Sequence, residues 1–320
     1  MKHIMRALCL AACALAALTG CGQTAERPAQ EQAQALVTGQ RCAGAAAAVT
    51  PEYAALCETV TAPLTAAEDG SVSSFRAPGQ PDGTRYLDCV STVENTGDTA
   101  LDLKTGLYFY CEDGDTRYDG CLVLTETADG ARLEEAGSLP PGQTARVHYA
   151  LPVPADVSAA QLTVSLVLPD SGARYTAPLT GCAPPLAGTL VPGDSLTTGS
   201  GAVLTVQSCS AGTEAAARTE AGGGMSLLPA TDGNRLLDLV VAVEPDGAQQ
   251  AGTLYGGLVW ADGTGTRGVL ALEADGAMQY GGALTPGETA TTHLLFELAD
   301  GTDAAACLYV DGAFYAVADE

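Results

Sequence analysis

The 320-residue chain carries 38 Asp+Glu against 14 Lys+Arg, a formal net charge of −24, and such a surface repels nucleic acid and sets polyanionic partners aside. Hydrophobic residues make up 47% of it, which excludes a wholly disordered chain. Aromatic residues contribute only 5%, so the core has to be built from small side chains.

The N-terminus reads as an export signal. Lys2 and Arg6 form a positive n-region ahead of "ALCLAACALAAL" (7–18), an apolar run too short to span a bilayer as a mature helix. The following "LTGC", Leu18 to Cys21, resembles the lipobox of bacterial lipoproteins. The resemblance implies a diacylglyceryl group on the Cys21 thiol and cleavage that removes residues 1–20. Two acyl chains are enough for stable anchoring, each buried CH2 contributing roughly 0.8 kcal/mol. No later stretch reaches eighteen apolar residues, so the sequence predicts a cell-membrane protein held by lipid and facing the extracytoplasmic side. Residues 21–50, rich in Ala and Gln and without a stable period, are expected to be a flexible tether.

From about residue 51 the pattern changes to runs of 5–10 residues separated by Gly, Pro and Asp turns, with no convincing long helix. "DGTRYLDCVSTVE" (82–94) returns as "DGNRLLDLVVAVE" (232–244), and "SLPPGQTARVH" (138–148) returns as "ALTPGETATTH" (283–293). The chain is therefore a duplication, with about seven strands in each copy. The expected fold is all-β: two tandem immunoglobulin-like antiparallel β-sandwiches at 51–180 and 189–320. "GCAPPLAG" joins them, and Pro184-Pro185 should make this 181–188 linker semi-rigid. On the repeated line Leu87, Cys89, Ser91 and Val93 share one face, as do Leu237, Leu239, Val241 and Val243. Those faces are the expected core, with Asp88 and Asp238 on the opposite one. Trp260, the only tryptophan, is expected in the core as well.

"YLDCVSTVENTGD" followed by "LPPGQTARVHYALPVP" resembles the immunoglobulin-like domains of unassigned function in lipoproteins of Gram-positive bacteria, gut Firmicutes especially. The likeness spans about 53–178 and, less closely, 189–318, where "VEPDGAQQ" departs from the "ENTGD" line. It implies an exported, non-enzymatic β protein and brings no catalytic residues with it.

Eight cysteines follow Cys21, none with C-x-x-C spacing, so a zinc site has no support. Cys111 and Cys121 flank "EDGDTRYDG" and are the candidate disulfide; the others read as small buried hydrophobes. Asp113, Asp115 and Asp119 of that loop are candidate calcium ligands, the alternative being a solvated hairpin tip, since the loop lacks the EF-hand pattern. "GTGTRG" (263–268) is literally G-x-G-x-x-G, but it lies between two strands and reads as a hairpin turn. His148 and His293, at matched positions of the copies, read as structural, each on a strand and hydrogen-bonded near a sheet edge. Tyr108 and Tyr110 share a strand face and could form a sugar platform, or simply pack within the sheet.

No cofactor and no catalytic residue is expected. The functional expectation is a non-catalytic interaction or spacer module, its partner an envelope or extracellular protein or glycan. The alternatives are a glycan- or solute-binding lipoprotein and, third, a β-sandwich hydrolase.

Overall fold

Alternating apolar and polar residues build this molecule almost entirely from strands. The computed structural model describes residues 33–64, 73–75, 83–216, 227–274, 277–280, 282–302 and 304–318. The signal peptide (1–20), Cys21 and the first part of the tether (21–32) lie outside the described residues. Among the described residues there is no α-helix, only three single-turn 3-10 segments at Ala159–Gln161, Leu179–Gly181 and Ala251–Thr253. The fold is an all-β sandwich.

In the first half, Thr84–Asn95 lies between Ala47–Cys57 and Thr144–Pro154, and Thr144–Pro154 pairs in turn with Leu122–Glu126. A five-stranded sheet built on Tyr108–Asp113, Leu162–Leu168 and Ala173–Pro178 faces this layer. Leu87, Cys89 and Val93 project into the core between the two sheets, where the Phe109 and Tyr149 rings stack at 4.6 Å. Ser91 is fully buried on the same face. In the second half, a six-stranded sheet carries Asn234–Glu244, Ala290–Ala299 and Val269–Ala274, and Leu237, Leu239, Val241 and Val243 fill the second core.

The copies repeat one register. His148 stands opposite Val90, and His293 stands opposite Val240. Two hairpin turns are tight: Asp262-Gly263 and Asp311-Gly312 have positive φ at both residues (45° and 87°; 48° and 84°). That is the geometry of a two-residue primed turn, which Asp-Gly favours. The G-x-G-x-x-G line therefore gives only Gly263 to the turn, and its Thr264–Arg267 is the strand that pairs with Gly256–Ala261.

Two expected boundaries differ. The tether does not extend to residue 50: Gln34–Ala35 pairs with Ala173–Pro178, Cys42–Ala43 pairs with Ala47–Cys57, and Leu36, Cys42 and Val49 are core residues. These contributions are two-residue pairings and alanine-rich strand, too short and too uniform to carry a period. Pro51 is tolerated because the register shifts between it and Tyr53, and a bulge is a place where a missing N–H is least costly. The 181–188 segment, expected as a semi-rigid linker, is likewise part of the fold. Cys182 is buried, its carbonyl accepts from Ala54 N at 3.0 Å, and Leu186–Leu190 runs parallel to Ala313–Val317 as a strand.

A single sheet crosses from one half to the other. Ala47–Cys57 lies beside Thr264–Arg267, with Leu56 opposite Thr264 and Leu56 N donating to Gly263 O at 2.7 Å. The Trp260 indole, half-buried at this seam and not in either core, donates to Ala54 O at 3.0 Å. The sheet also rolls up. Thr144–Pro154 and Ala306–Val310 are five places apart in it, about 24 Å if it were flat. Yet the Tyr309 hydroxyl touches Arg146 at 3.0 Å, and the Tyr53 and Phe314 rings meet edge to face at 5.8 Å. The face opposite the first core is therefore buried too, around Tyr53, Val90, Leu258 and Phe314.

Candidate functional site

Four neighbouring strands place charged side chains on that second buried face. On Thr144–Pro154, Arg146 and His148 are two residues apart and share it; Asp88 comes from Thr84–Asn95, Glu126 from Leu122–Glu126 and Glu52 from Ala47–Cys57. The His148 ring lies between two carboxylates, with Nδ1 2.8 Å from Asp88 Oδ2 and Nε2 2.8 Å from Glu126 Oε1. Arg146 Nη1 donates to Glu126 Oε1 at 2.8 Å, and its Nε donates to Glu52 Oε2 at 2.8 Å. Thr92 Oγ1 completes the chain by donating to Glu52 Oε1 at 2.7 Å.

The His148 side chain is 0% exposed and that of Asp88 6%, so isolated charges here would be costly. Burial pulls the His148 pKa down, but the charges and hydrogen bonds of Asp88 and Glu126 override it and push the ring up to about 9. Burial likewise works against the Glu126 carboxylate, whose bonds to His148 and the charge of Arg146 hold it below the ordinary range. His148 is therefore an imidazolium at neutral pH. Both of its nitrogens donate, so it has no lone pair for a metal or a proton.

The second half supplies the rest. The Arg146 guanidinium lies 4.8 Å over the Tyr309 ring and donates to its hydroxyl. Arg267, on the strand bordering Ala47–Cys57, donates from Nη2 to Tyr53 Oη at 2.5 Å and forms no salt bridge among the described residues. Its charge reaches Glu126 and helps keep that carboxylate ionised. Counting Arg267, three cations (Arg146, His148, Arg267) balance three carboxylates (Glu52, Asp88, Glu126). The balance is reached only with a residue from the other copy.

The second copy repeats the arrangement in reduced form. His293 Nδ1 is 2.9 Å from Asp238 Oδ1, and Nε2 is 2.9 Å from Glu273 Oε1. The side chain is again 0% exposed, and its pKa is raised by the hydrogen bond and charge of Asp238, against burial. Thr291 stands where the first copy has Arg146. Both histidines lie on interior strands, not near a sheet edge as the sequence reading placed them. Neither the Asp nor the Glu of either set was singled out by that reading. The signal for them was the duplication itself, since Asp88 matches Asp238 and Glu126 matches Glu273 on the same registers.

The other candidates fall apart or are occupied. Cys111 and Cys121 are free thiols, and Cys121 Sγ donates to Phe109 O at 3.3 Å instead of meeting its expected partner. Burial raises both thiols to about 12, which leaves them unreactive. Asp113, Asp115 and Asp119 do not converge: Asp113 ends a strand, Asp115 sits in the turn, and Asp119 accepts from the Tyr108 hydroxyl at 3.0 Å. No group of three metal-ligating side chains occurs among the described residues. The Tyr108–Tyr110 pair does not present an open platform. Tyr110 is buried, and the Arg117 guanidinium lies 3.7 Å over its ring.

A cleft of about 380 Å³ opens along the seam, between Thr59 and Thr61 of the first half and Thr266 and Arg267 of the second, with Asp88 in its wall. A second compartment of about 390 Å³ adjoins it, sharing Thr266, Arg267, Val269 and Glu297 and extending to Leu228 and Tyr280. Sequence reasoning passed over this place because Arg267 lay inside a turn motif and Asp88 on a face read as outward.

No known family description matches the chain, and no curated protein matches it. It is similar to an uncharacterized β-sandwich protein of Clostridium difficile, at 16% identity and a TM-score of 0.38 over 45% of this chain and 93% of that one. It is also similar to a conserved hypothetical protein of Bacillus anthracis, at 12% identity and a TM-score of 0.27 over 41% of this chain and 88% of that one.

Proposed function

We propose that the protein is a surface lipoprotein, tethered through a lipid on Cys21 and facing the extracytoplasmic side, that acts as a non-catalytic interaction or spacer module. Its two sandwiches are read as the immunoglobulin-like pair of the Gram-positive lipoproteins that its "VENTGD" and "LPPGQTARVH" lines resemble. One observation carries the non-catalytic part. Both histidines of the described residues, the side chains best suited to proton transfer near neutral pH, are fully buried and held at both nitrogens by carboxylates. Their role is to hold strands together. The sheet that crosses the seam supports the spacer part, because it joins the halves by backbone hydrogen bonds as well as side-chain contacts. The lipobox at 18–21 after an apolar 7–18 run supports the anchor.

Expression of Cys21→Ala in a bacterium with a clickable fatty-acid label tests the anchor. The wild type should take up label and stay with the membrane, and the variant should lose the label and appear in the medium. An unlabelled wild type, or a variant that stays membrane-bound, refutes it.

A further inference from the structure

We propose that the two-compartment cleft at the seam is a binding site for a small saccharide. This goes beyond the anchored-spacer reading and does not rest on it: the site could be present with the anchor absent, and the reverse.

Two residues of the cleft wall each carry a buried polar atom with no protein partner, Nη1 of Arg267 and Oδ1 of Asp88. The other nitrogen of Arg267 is committed to Tyr53, and the other oxygen of Asp88 to His148. Buried groups of this kind are rarely left unpaired, because an unmade bond leaves their loss of water uncompensated. One is a donor and the other, a carboxylate oxygen whose partner oxygen already meets His148, an acceptor. A ligand that answers both must therefore accept and donate.

Charge narrows the class. The cluster behind the wall is already balanced, and Glu58 and Glu297 line the cleft. A phosphate or dicarboxylate would bring unmatched negative charge to a site rimmed with acid. A neutral hydroxylated molecule brings none, and each of its hydroxyls can both donate and accept. Thr59, Thr61 and Thr266 add further hydroxyls to the wall, and Leu258 and Val269 offer apolar surface for the C–H face of a sugar ring. Among the residues of the second compartment, Tyr280 is 52% exposed. An accessible aromatic next to mixed donors and acceptors suits a pyranose better than a purely polar ion. The size of the inner compartment lies in the lower part of the range of small-molecule sites, so one or two sugar rings fill the cleft.

The test is calorimetric titration of the whole chain in detergent with glucose, galactose, N-acetylglucosamine, maltose and cellobiose, with acetate and glycine as controls. At least one sugar should bind saturably. Arg267→Lys, which removes the planar fork, should weaken that binding about tenfold or more. Tyr280→Ala should weaken it about threefold or more and, being an exposed position, leave thermal stability unchanged. If Arg267→Lys does not fold, Tyr280→Ala and Thr266→Val decide the matter. The proposal is overturned if no sugar saturates the folded protein up to about 10 mM, if bound sugar is indifferent to the variants that fold, or if only acetate or glycine binds.

Discussion

If the two Asp–His–Glu sets hold strands together as imidazolium ion pairs, stability must fall as pH rises through the neutral range. His148 is fully buried, and its folded pKa of about 9 lies above the value of about 6.5 in an unfolded chain. A raised pKa means that the folded state holds the proton more tightly. Its stabilisation is complete below the unfolded value and is lost as pH climbs through the folded one. Between about pH 6 and pH 8 the unfolded ring gives up its proton while the folded ring keeps it, and the linkage relation gives a loss of about 2 kcal/mol from His148 alone. His293, also raised by its hydrogen bond and charge partner Asp238 against burial, adds to the loss with the same sign. The window stops at about pH 8 because the buried thiols, with pKa values raised by burial, begin a loss of their own above about pH 8.5. Urea unfolding at constant ionic strength, followed by far-UV circular dichroism, measures the difference. A stability that is level or rising between those two pH values would refute the ion-pair account of both sites.

Two further expectations concern the backbone at the seam. A Cβ built on Gly256 stands 2.0 Å from the Pro63 carbonyl oxygen, and backbone on both sides leaves no room to yield; Gly256→Ala should cost about 1–3 kcal/mol in urea unfolding, whereas Gly137→Ala, with nothing within 4 Å of the added carbon, should be nearly neutral. Equal midpoints for the two variants would show that the approach at Gly256 is not tight. Residues 189–320 expressed alone would uncover Leu258, Cys307, Tyr309 and Phe314, which pack with Tyr53, Ala55 and Val90 in the whole chain; scanning calorimetry should find a transition at least about 10 °C lower than the whole protein's or none at all, and an unchanged midpoint would mean that the seam contributes nothing.

The inward face of the repeated strand was legible because side chains alternate with a period of two, so Leu87, Cys89, Ser91 and Val93 identify themselves as a set. Asp88 sat in plain view on the other face, where a single sandwich would leave it wet. Its burial comes with the roll of the sheet, which covers the face it shares with Val90, and the curvature of a sheet is not written in any one strand. The equivalence of His148 and His293 could be read, but their partners could not, because each carboxylate comes from a different strand of the sheet. The tether boundary failed for a smaller reason. Gln34–Ala35 and Cys42–Ala43 are two-residue pairings, held by the strands they join and carrying no pattern of their own. Arg267 was hidden by its motif: the eye takes the glycines of "GTGTRG" first and the guanidinium not at all.

The balanced cluster has a consequence in time. A chain is made from its N-terminus, and the residues supplying Glu52, Asp88, Glu126, Arg146 and His148 are complete more than a hundred positions before Arg267 is added. Throughout that interval the first sandwich has three acids for two cations, no Tyr309 hydroxyl beside Arg146, and nothing over Val90. A half-satisfied buried network is worse than none, so the early part of the chain has reason to stay open until the late part reaches it. Closure then becomes a check on completeness. A product cut short before residue 267 leaves Glu52, Asp88 and Glu126 on a face open to water, and only the finished molecule covers it with Leu258, Tyr309 and Phe314.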